Sequence, residues 1–503
     1  MKLWSCLLMA ALATAPTLAA DKKKDDKKKD APAPAAAAAQ DAVKEAEAKL
    51  AGGDADAAIA ILEKAMGTDG MAGLRLGRLR ESRGELDQAI DAYKAAGGVL
   101  SGPAKGEALG RMAVAEDSRG MAGAAASAEA AVAADPEGVW PTIAMSYRRA
   151  HGGQLDEAVA LAQKAVAAGG GAAATGALAH AQAAKGDMAA AEATYRQAIA
   201  ADPTAIGPIV GLASVLRATG RAAEAEPMLK KAIDSSPGAV EAYKEMARVK
   251  VALGRSQEAI SDANLAAAMA ENDPEAKELV VEVRVARSLQ DVSAGQIDLA
   301  VQDLTQLRDQ NPGSAVVRLG LGRAQIARRD ADAALAELQK AVEIDPKNAE
   351  AQYQLGYVQQ VMKQNPGAAV PPFEKAVEAE PGNAMFRTSL GSALLGAGQT
   401  DRAVEQLTKV TSAEGYSGWQ AWFYLGAAQL KASRFKEAAS ALEKSLAAKP
   451  DNAEAEAYLA WSCFGLKDAE GFKAHGALAR KLGWKDAALL DRLAKVEAGQ
   501  AIK

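Results

Sequence analysis

One register recurs along this 503-residue chain and decides what it can fold into. From Leu178-Ala179 the chain runs to Gly186, Ala191, Tyr195, Ala198 and Pro203; from Leu212-Ala213 the same offsets give Gly220, Ala225, Leu229, Ala232 and Pro237, 34 residues on. Leu321-Gly322 leads likewise to Ala334, Leu338, Ala341 and Pro346, and Leu390-Gly391 to Gly398, Ala403 and Leu407. Self-similarity at such a period marks arrays whose units bury their apolar faces on one another. A chain of this length then need not divide into separate globular cores.

The residues explain the pattern physically. Hydrophobic residues make up 49% of the chain but aromatics only 4%, so the apolar surface comes in small pieces, mostly alanine, that suit close helix packing. The Leu-Gly or Leu-Ala pair falls mid-helix, where a small residue lets a partner helix approach. Gly186, Gly220, Gly254, Gly295 and Gly398 stand where a first helix must stop, and prolines such as Pro203, Pro237, Pro312, Pro346 and Pro450 punctuate the unit ends. The alanine that opens each second helix reads Ala58, Ala89, Ala125, Ala158, Ala191, Ala225, Ala259, Ala300, Ala334, Ala369, Ala403 and Ala438, with Phe472 in a degenerate further unit. Between Ala259 and Ala300 the spacing is 41 residues, which predicts about two extra helical turns and a seam between two sub-arrays. The N-terminal units are glycine-rich, Gly169 to Gly171 included, and are expected to be the less stable half.

The fullest copy, Trp422, Leu425-Gly426, Ala438, Leu442 and Pro450, resembles the consensus of the tetratricopeptide repeat (TPR) family, with Gln429 where that consensus has tyrosine. The resemblance covers residues 41–484. It implies an all-α helix-turn-helix solenoid, a right-handed superhelix of 12–13 repeats, that binds protein or peptide partners. The last segment, 485–503, reads as a capping helix and tail, with Ala488, Leu489, Leu493 and Val496 on one face.

Ahead of the array, Lys2, the apolar stretch Leu3–Ala15 and the small residues Thr17–Ala20 read as a signal peptide over 1–20, which places the mature chain in the periplasm or outside the cell. Cys6 precedes most of the apolar core, contrary to a lipoprotein anchor, and no stretch is long enough for an integral membrane span. Residues 21–40, lysines and aspartates followed by Ala/Pro, read as a disordered linker that is a simple tether.

The formal net charge of −5, from 59 basic and 64 acidic residues, provides no field for nucleic acid. His151, His180 and His475 lie in different units without zinc-ligand spacing, Cys463 is expected to be a small buried hydrophobe, and no phosphate loop occurs. Repeats fill the chain, so no catalytic module, metal or cofactor is expected. The resemblance implies a binding scaffold in a bacterial-type envelope; the alternative is an accessory protein that holds glycan or peptidoglycan.

Projected at 100° per residue, positions two, five, nine and twelve of each first helix fall away from its packing side. By resemblance they line the concave groove. They hold Tyr353 and Tyr357, Phe423, and Trp461 and Phe464 toward the C-terminus, and Arg78, His180, Arg217 and Arg248, with Arg323 further on. Aromatic and arginine side chains are the usual interface anchors, so Tyr353, Tyr357, Phe423, Trp461, Phe464, Arg217, Arg248 and Arg323 are the candidate partner contacts.

Overall fold

The computed structural model describes residues 34–501. The signal segment, Cys6 and residues 21–33 of the linker lie outside them. Among the described residues 27 α-helices and one π-helical turn follow one another without a strand. The first helix, Pro34–Ala51, begins inside the stretch read as linker, because its alanine run has the strongest helix propensity of any residue type.

The helices come in pairs joined by turns of a few residues, each turn stopping one helix and starting the next. Gly186 takes φ +90°, which lets the Asp187 amide reach back to the Gln182 carbonyl at 3.0 Å; the Asp187 carboxylate then accepts from the Ala190 amide and caps the following helix. Where glycine is missing, Arg329 (φ +66°) and Lys467 (φ +63°) adopt the same left-handed conformation, followed by the caps Asp330 and Asp468. At the other end of each unit Asn348, Asn383 and Asn452 cap first helices.

Each helix packs mainly on its chain neighbours, and first helices of successive pairs also touch, as Gly102–Ser118 touches Val139–His151 and Ala384–Gly396 touches Trp419–Lys431. The small residues permit this approach: a Cβ on Gly391 would lie 2.5 Å from Leu407, and one on Gly356 2.7 Å from the Phe373 ring. The alanines that open the second helices are fully buried from Ala58 to Ala438, with one correction. Ala125 is exposed and Ala128 takes its place, because the preceding helix Gly102–Ser118 has 17 residues and displaces the register.

Two compact units divide between Arg287 and Ser288. The division falls in the segment of stretched spacing, where the extra residues make Pro274–Ser293 a 20-residue helix beside the 13 residues of Val240–Ala252. In the N-terminal unit the chain also meets itself across non-adjacent repeats: Ser236 Oγ donates to the Ser82 carbonyl at 3.4 Å, and the Gly84 backbone lies against Ala239 so closely that a Cβ would come within 2.6 Å of its Cα. In the C-terminal unit, Ala349–Tyr357 runs on as the π turn Val358–Met362, closed by the Lys363 amide on the Val358 carbonyl at 2.9 Å. From Gly356 to Ala369 is 13 residues against 12 from Gly322 to Ala334, and the wider turn absorbs that insertion. The helix Ala487–Glu497 follows the last pair, burying Leu489, Leu493 and Val496 while Ala488 stays exposed.

Candidate functional site

The aromatic candidates divide into core and surface. Phe423 is 6% exposed, stacked on Tyr458 at 5.5 Å and packed against Trp419 and Tyr424, so packing does demand it, contrary to the helical projection. The covering ring comes from the next first helix, Ala453–Gly465, which a projection of one helix cannot include. Tyr353 is half-buried between Phe386 at 5.0 Å and Phe373 at 5.7 Å, and burial pushes its phenol above the ordinary range. Tyr357 remains partly exposed at the start of the π turn.

Trp461 and Phe464 meet at 5.6 Å and both touch Phe472, which is fully buried. Their outer faces, with Leu430, Phe435, Gly465 and Lys467, line an open cleft of about 470 Å³ at the turn edge of the last two pairs. Arg492 of the closing helix lies 5.1 Å over the Phe464 ring. Leu430 stands at position twelve of its first helix, on the projected face, but is neither aromatic nor arginine, and Phe435 begins a second helix, which the projection does not cover. Cys463 is buried beside this cluster, its thiol pushed up to about 11 by burial and then by Asp468.

The arginine candidates are occupied by the protein itself. Arg217 Nε donates to Glu245 at 2.7 Å, and Arg248 donates to Glu275 at 2.6 Å while lying 3.7 Å from Glu245. Arg323, on Ala315–Arg328, is exposed and enters no ion pair among the described residues. The pairs in the N-terminal unit extend into a network: Lys244, fully buried, lies 3.0 Å from Glu241, 3.3 Å from Asp273 and 2.5 Å from Glu275. Burial opposes the Lys244 charge, but Glu241 and Glu275 outweigh it and hold its pKa above the ordinary value; burial raises that of Glu241. Arg119, 3% exposed, joins the network through Asp273 at 3.1 Å and grips Asp87 with two further bonds.

The same projection face carries further paired groups. Arg78 and Arg111 share Glu107, Arg111 also reaches Glu81 at 2.9 Å, and its guanidinium stacks 3.7 Å over Trp140. His151 and His180 sit in successive first helices with ring centres 5.7 Å apart, and His180 lies 4.7 Å from Tyr147. His151 Nδ1 is 2.8 Å from Asp117, whose hydrogen bond raises the imidazole pKa, whereas burial and then His151 lower that of His180. The two histidines belong to different units, and the contact between their first helices brings the rings together. No group of metal-ligating side chains stands together among the described residues, and none of their helices is long and apolar enough to cross a membrane.

The arrangement thus offers an apolar cleft and first-helix faces whose charges are largely paired. Two family models, each described as tetratricopeptide repeat, match residues 144–206, 388–453 and 426–487, and residues 216–282 and 291–356 respectively. No curated protein matches the chain at a significant level. Among solved structures it is similar to YrrB, a TPR protein with an unusual peptide-binding site, at 22% identity over 38% of this chain and 97% of that one, with a TM-score of 0.34. It is similar to PilW, a type IV pilus biogenesis factor, at 16% identity over 43% and 98% (TM-score 0.37), and to the Cut9–Hcn1 hetero-tetramer of the APC/C at 12% over 91% and 95% (TM-score 0.41). Those likenesses are distant, whereas the family models together span more than half of the chain at the positions where helix pairs repeat. The chain is a member of the tetratricopeptide-repeat family.

Proposed function

We propose that this chain is a non-catalytic scaffold of the cell envelope that holds protein or peptide partners, in a role of the secretion, motility, polysaccharide-export or outer-membrane-assembly type. The observation that supports this most is the continuity of the repeats: helix pairs run from Pro34–Ala51 to Ala469–Lys481, with one closing helix after them. Repeat arrays present extended surfaces and bind through them. Export rests on residues 1–20 as read from the sequence. The partner contacts that remain accessible are Tyr357, Arg323 and the cleft of Trp461 and Phe464, while Tyr353 is half-buried and Phe423 belongs to the core.

The test has two arms. N-terminal sequencing of the protein from its native host is expected to show cleavage near Ala19 or Ala20, and an intact Met1 on a cytoplasmic protein overturns the envelope reading. A photo-crosslinking residue at Trp461 or Arg323 is expected to capture a discrete protein, with one at exposed Asp56 as the control that captures none. The alternative, a glycan-binding accessory protein, draws on the exposed aromatic faces of the same cleft; co-sedimentation with purified wall polymer, lost in Trp461→Ala, with no protein captured, favours it instead.

A further inference from the structure

The N-terminal unit meets itself at two places, and both contacts join residues 154 positions apart, about four and a half repeats. At one, the turn of Ser82, Arg83 and Gly84 lies on the turn of Ser236, Gly238 and Ala239; a Cβ on Gly238 would stand 3.1 Å from the Arg83 carbonyl oxygen. At the other, Arg119, which follows the helix Gly102–Ser118, reaches Asp273 and Glu241 at 3.1 and 3.6 Å.

This contact differs in kind from the seams between neighbouring repeats. Those seams are apolar, as in the cluster of Tyr195, Leu212, Leu216 and Leu229. The long-range contact consists of backbone and charge. Each side also keeps a partner of its own. Arg119 holds Asp87 through Nε at 3.0 Å and Nη2 at 2.7 Å, and only Nη1 crosses to Asp273. Asp273 in turn keeps Lys244 and accepts from the amides of Glu275 and Ala276 at 2.9 and 3.2 Å. Parting the contact leaves no charge unpaired, and water reaches both faces. That removes the penalty which normally makes a buried ion pair costly to break. Adjacent repeats, by contrast, cannot part without exposing apolar surface.

We propose that the contact of Arg119 with Asp273, together with the Gly84–Ala239 approach, is a latch that closes the N-terminal unit across about four and a half repeats and controls access to the first-helix faces between its two ends. Arg217, Arg248 and Lys244 stay on the protein's own carboxylates in both states, since none of those pairs crosses the latch. Opening exposes the helix faces that carry them to a macromolecule. The latch belongs to the N-terminal unit and the cleft to the C-terminal unit, and the latch does not depend on that cleft's role.

Spin labels at Ser82→Cys and Ser235→Cys, in full-length protein with Cys6 and Cys463 replaced by serine, report the closure by pulsed electron resonance. Arg119→Lys keeps the charge but cannot fork between Asp87 and Asp273; Gly238→Val wedges the two turns apart at the Arg83 carbonyl and the Glu85 side chain while leaving the Arg119–Asp273 pair itself unchanged. Both are expected to add a longer distance to the single short one of the parent. In the same backgrounds without the labels, a thiol at Ser214→Cys on one of those first-helix faces is expected to react about ten- to a hundredfold faster with a polymer-linked maleimide, as for a parent whose open state is a 1–10% population. Distances unchanged in both variants, at unchanged helical content, overturn the latch. Longer distances with an unchanged thiol rate overturn its control of access. Should either variant lose helical content, the parent decides: between about 0.01 and 1 M salt, where screening shortens from about 30 to 3 Å, its label distance is expected to lengthen, and an invariant distance overturns the proposal.

Discussion

Replacing Phe472 by alanine isolates how far a local defect travels in this array. Phe472 is fully buried, in the second helix of the last pair, and its ring contacts Trp461 and Phe464 of the first helix at 6.1 and 5.4 Å. The closing helix contributes Leu489, Leu493 and Val496 to the same cluster. Truncating a buried phenylalanine costs about 3–5 kcal/mol, since the transfer loss and the residual cavity add. Because a repeat is stabilised only by itself and its neighbours, the loss is expected to fall on Ala453–Gly465, Ala469–Lys481 and Ala487–Glu497 and to reach no further back than the preceding pair, whose Phe423 and Leu442 share the cluster. Native-state hydrogen exchange reads it directly. Amides in those helices are expected to exchange about two to four orders of magnitude faster, at tenfold per 1.4 kcal/mol, while those of Pro366–Ala379 keep their protection. Equal acceleration in Pro366–Ala379 would refute the nearest-neighbour reasoning, as it would mean that the C-terminal unit opens as a whole.

Gly391→Val places carbon 2.5 Å from Leu407 and is expected to cost about 1–3 kcal/mol through forced separation of the two helices, read as a lower denaturant midpoint at unchanged slope. Lys244→Met leaves the buried Glu241 with only Arg119 at 3.6 Å, while Asp273 keeps Arg119 and two backbone amides, and is expected to cost up to about 3–5 kcal/mol, with loss of exchange protection confined to the N-terminal unit. In a histidine titration by NMR, His151 is expected above the ordinary imidazole value and His180 below it, and Asp117→Asn is expected to bring His151 down. The linkage signs oppose: His151, raised on folding, stabilises below its unfolded pKa and loses that contribution as pH rises through the folded one, whereas His180, depressed, stabilises above its unfolded pKa and loses that as pH falls.

The helix pairs were legible because each unit repeats the same local instructions. A small residue meets a large one, as Gly391 meets Leu407, and a left-handed turn precedes a capping aspartate, as in Gly186-Asp187. The alanine register failed only at Ala125, where a longer first helix displaced it. The candidate site was legible in part. Trp461 and Phe464 line a cleft, but Phe423 lies under Tyr458, and Glu245 and Glu275 neutralise Arg217 and Arg248 from the following first helices. A face projected from one helix cannot see its neighbour's side chains. Least legible was the meeting of Arg119 with Asp273, since it depends on the rise and twist accumulated over several repeats and leaves no periodic trace. That contact also bears on the expectation that the glycine-rich N-terminal units are the weaker half, because it ties some of them to repeats far along the chain.

The π turn Val358–Met362 shows how such a chain survives a change of length. A single added residue in an uninterrupted α-helix would turn everything beyond it by about 100° and carry Phe373 off Gly356. Widening one turn confines the disturbance to five residues, and Phe373 and Ala376 remain buried where the pattern requires them. The array therefore need not gain or lose whole repeats to diversify. A codon-sized insertion within an inner helix is survivable, and the side chains over the widened turn, Tyr357 and Gln360 among them, become the ground on which new surface can be tried without renegotiating the packing on either side.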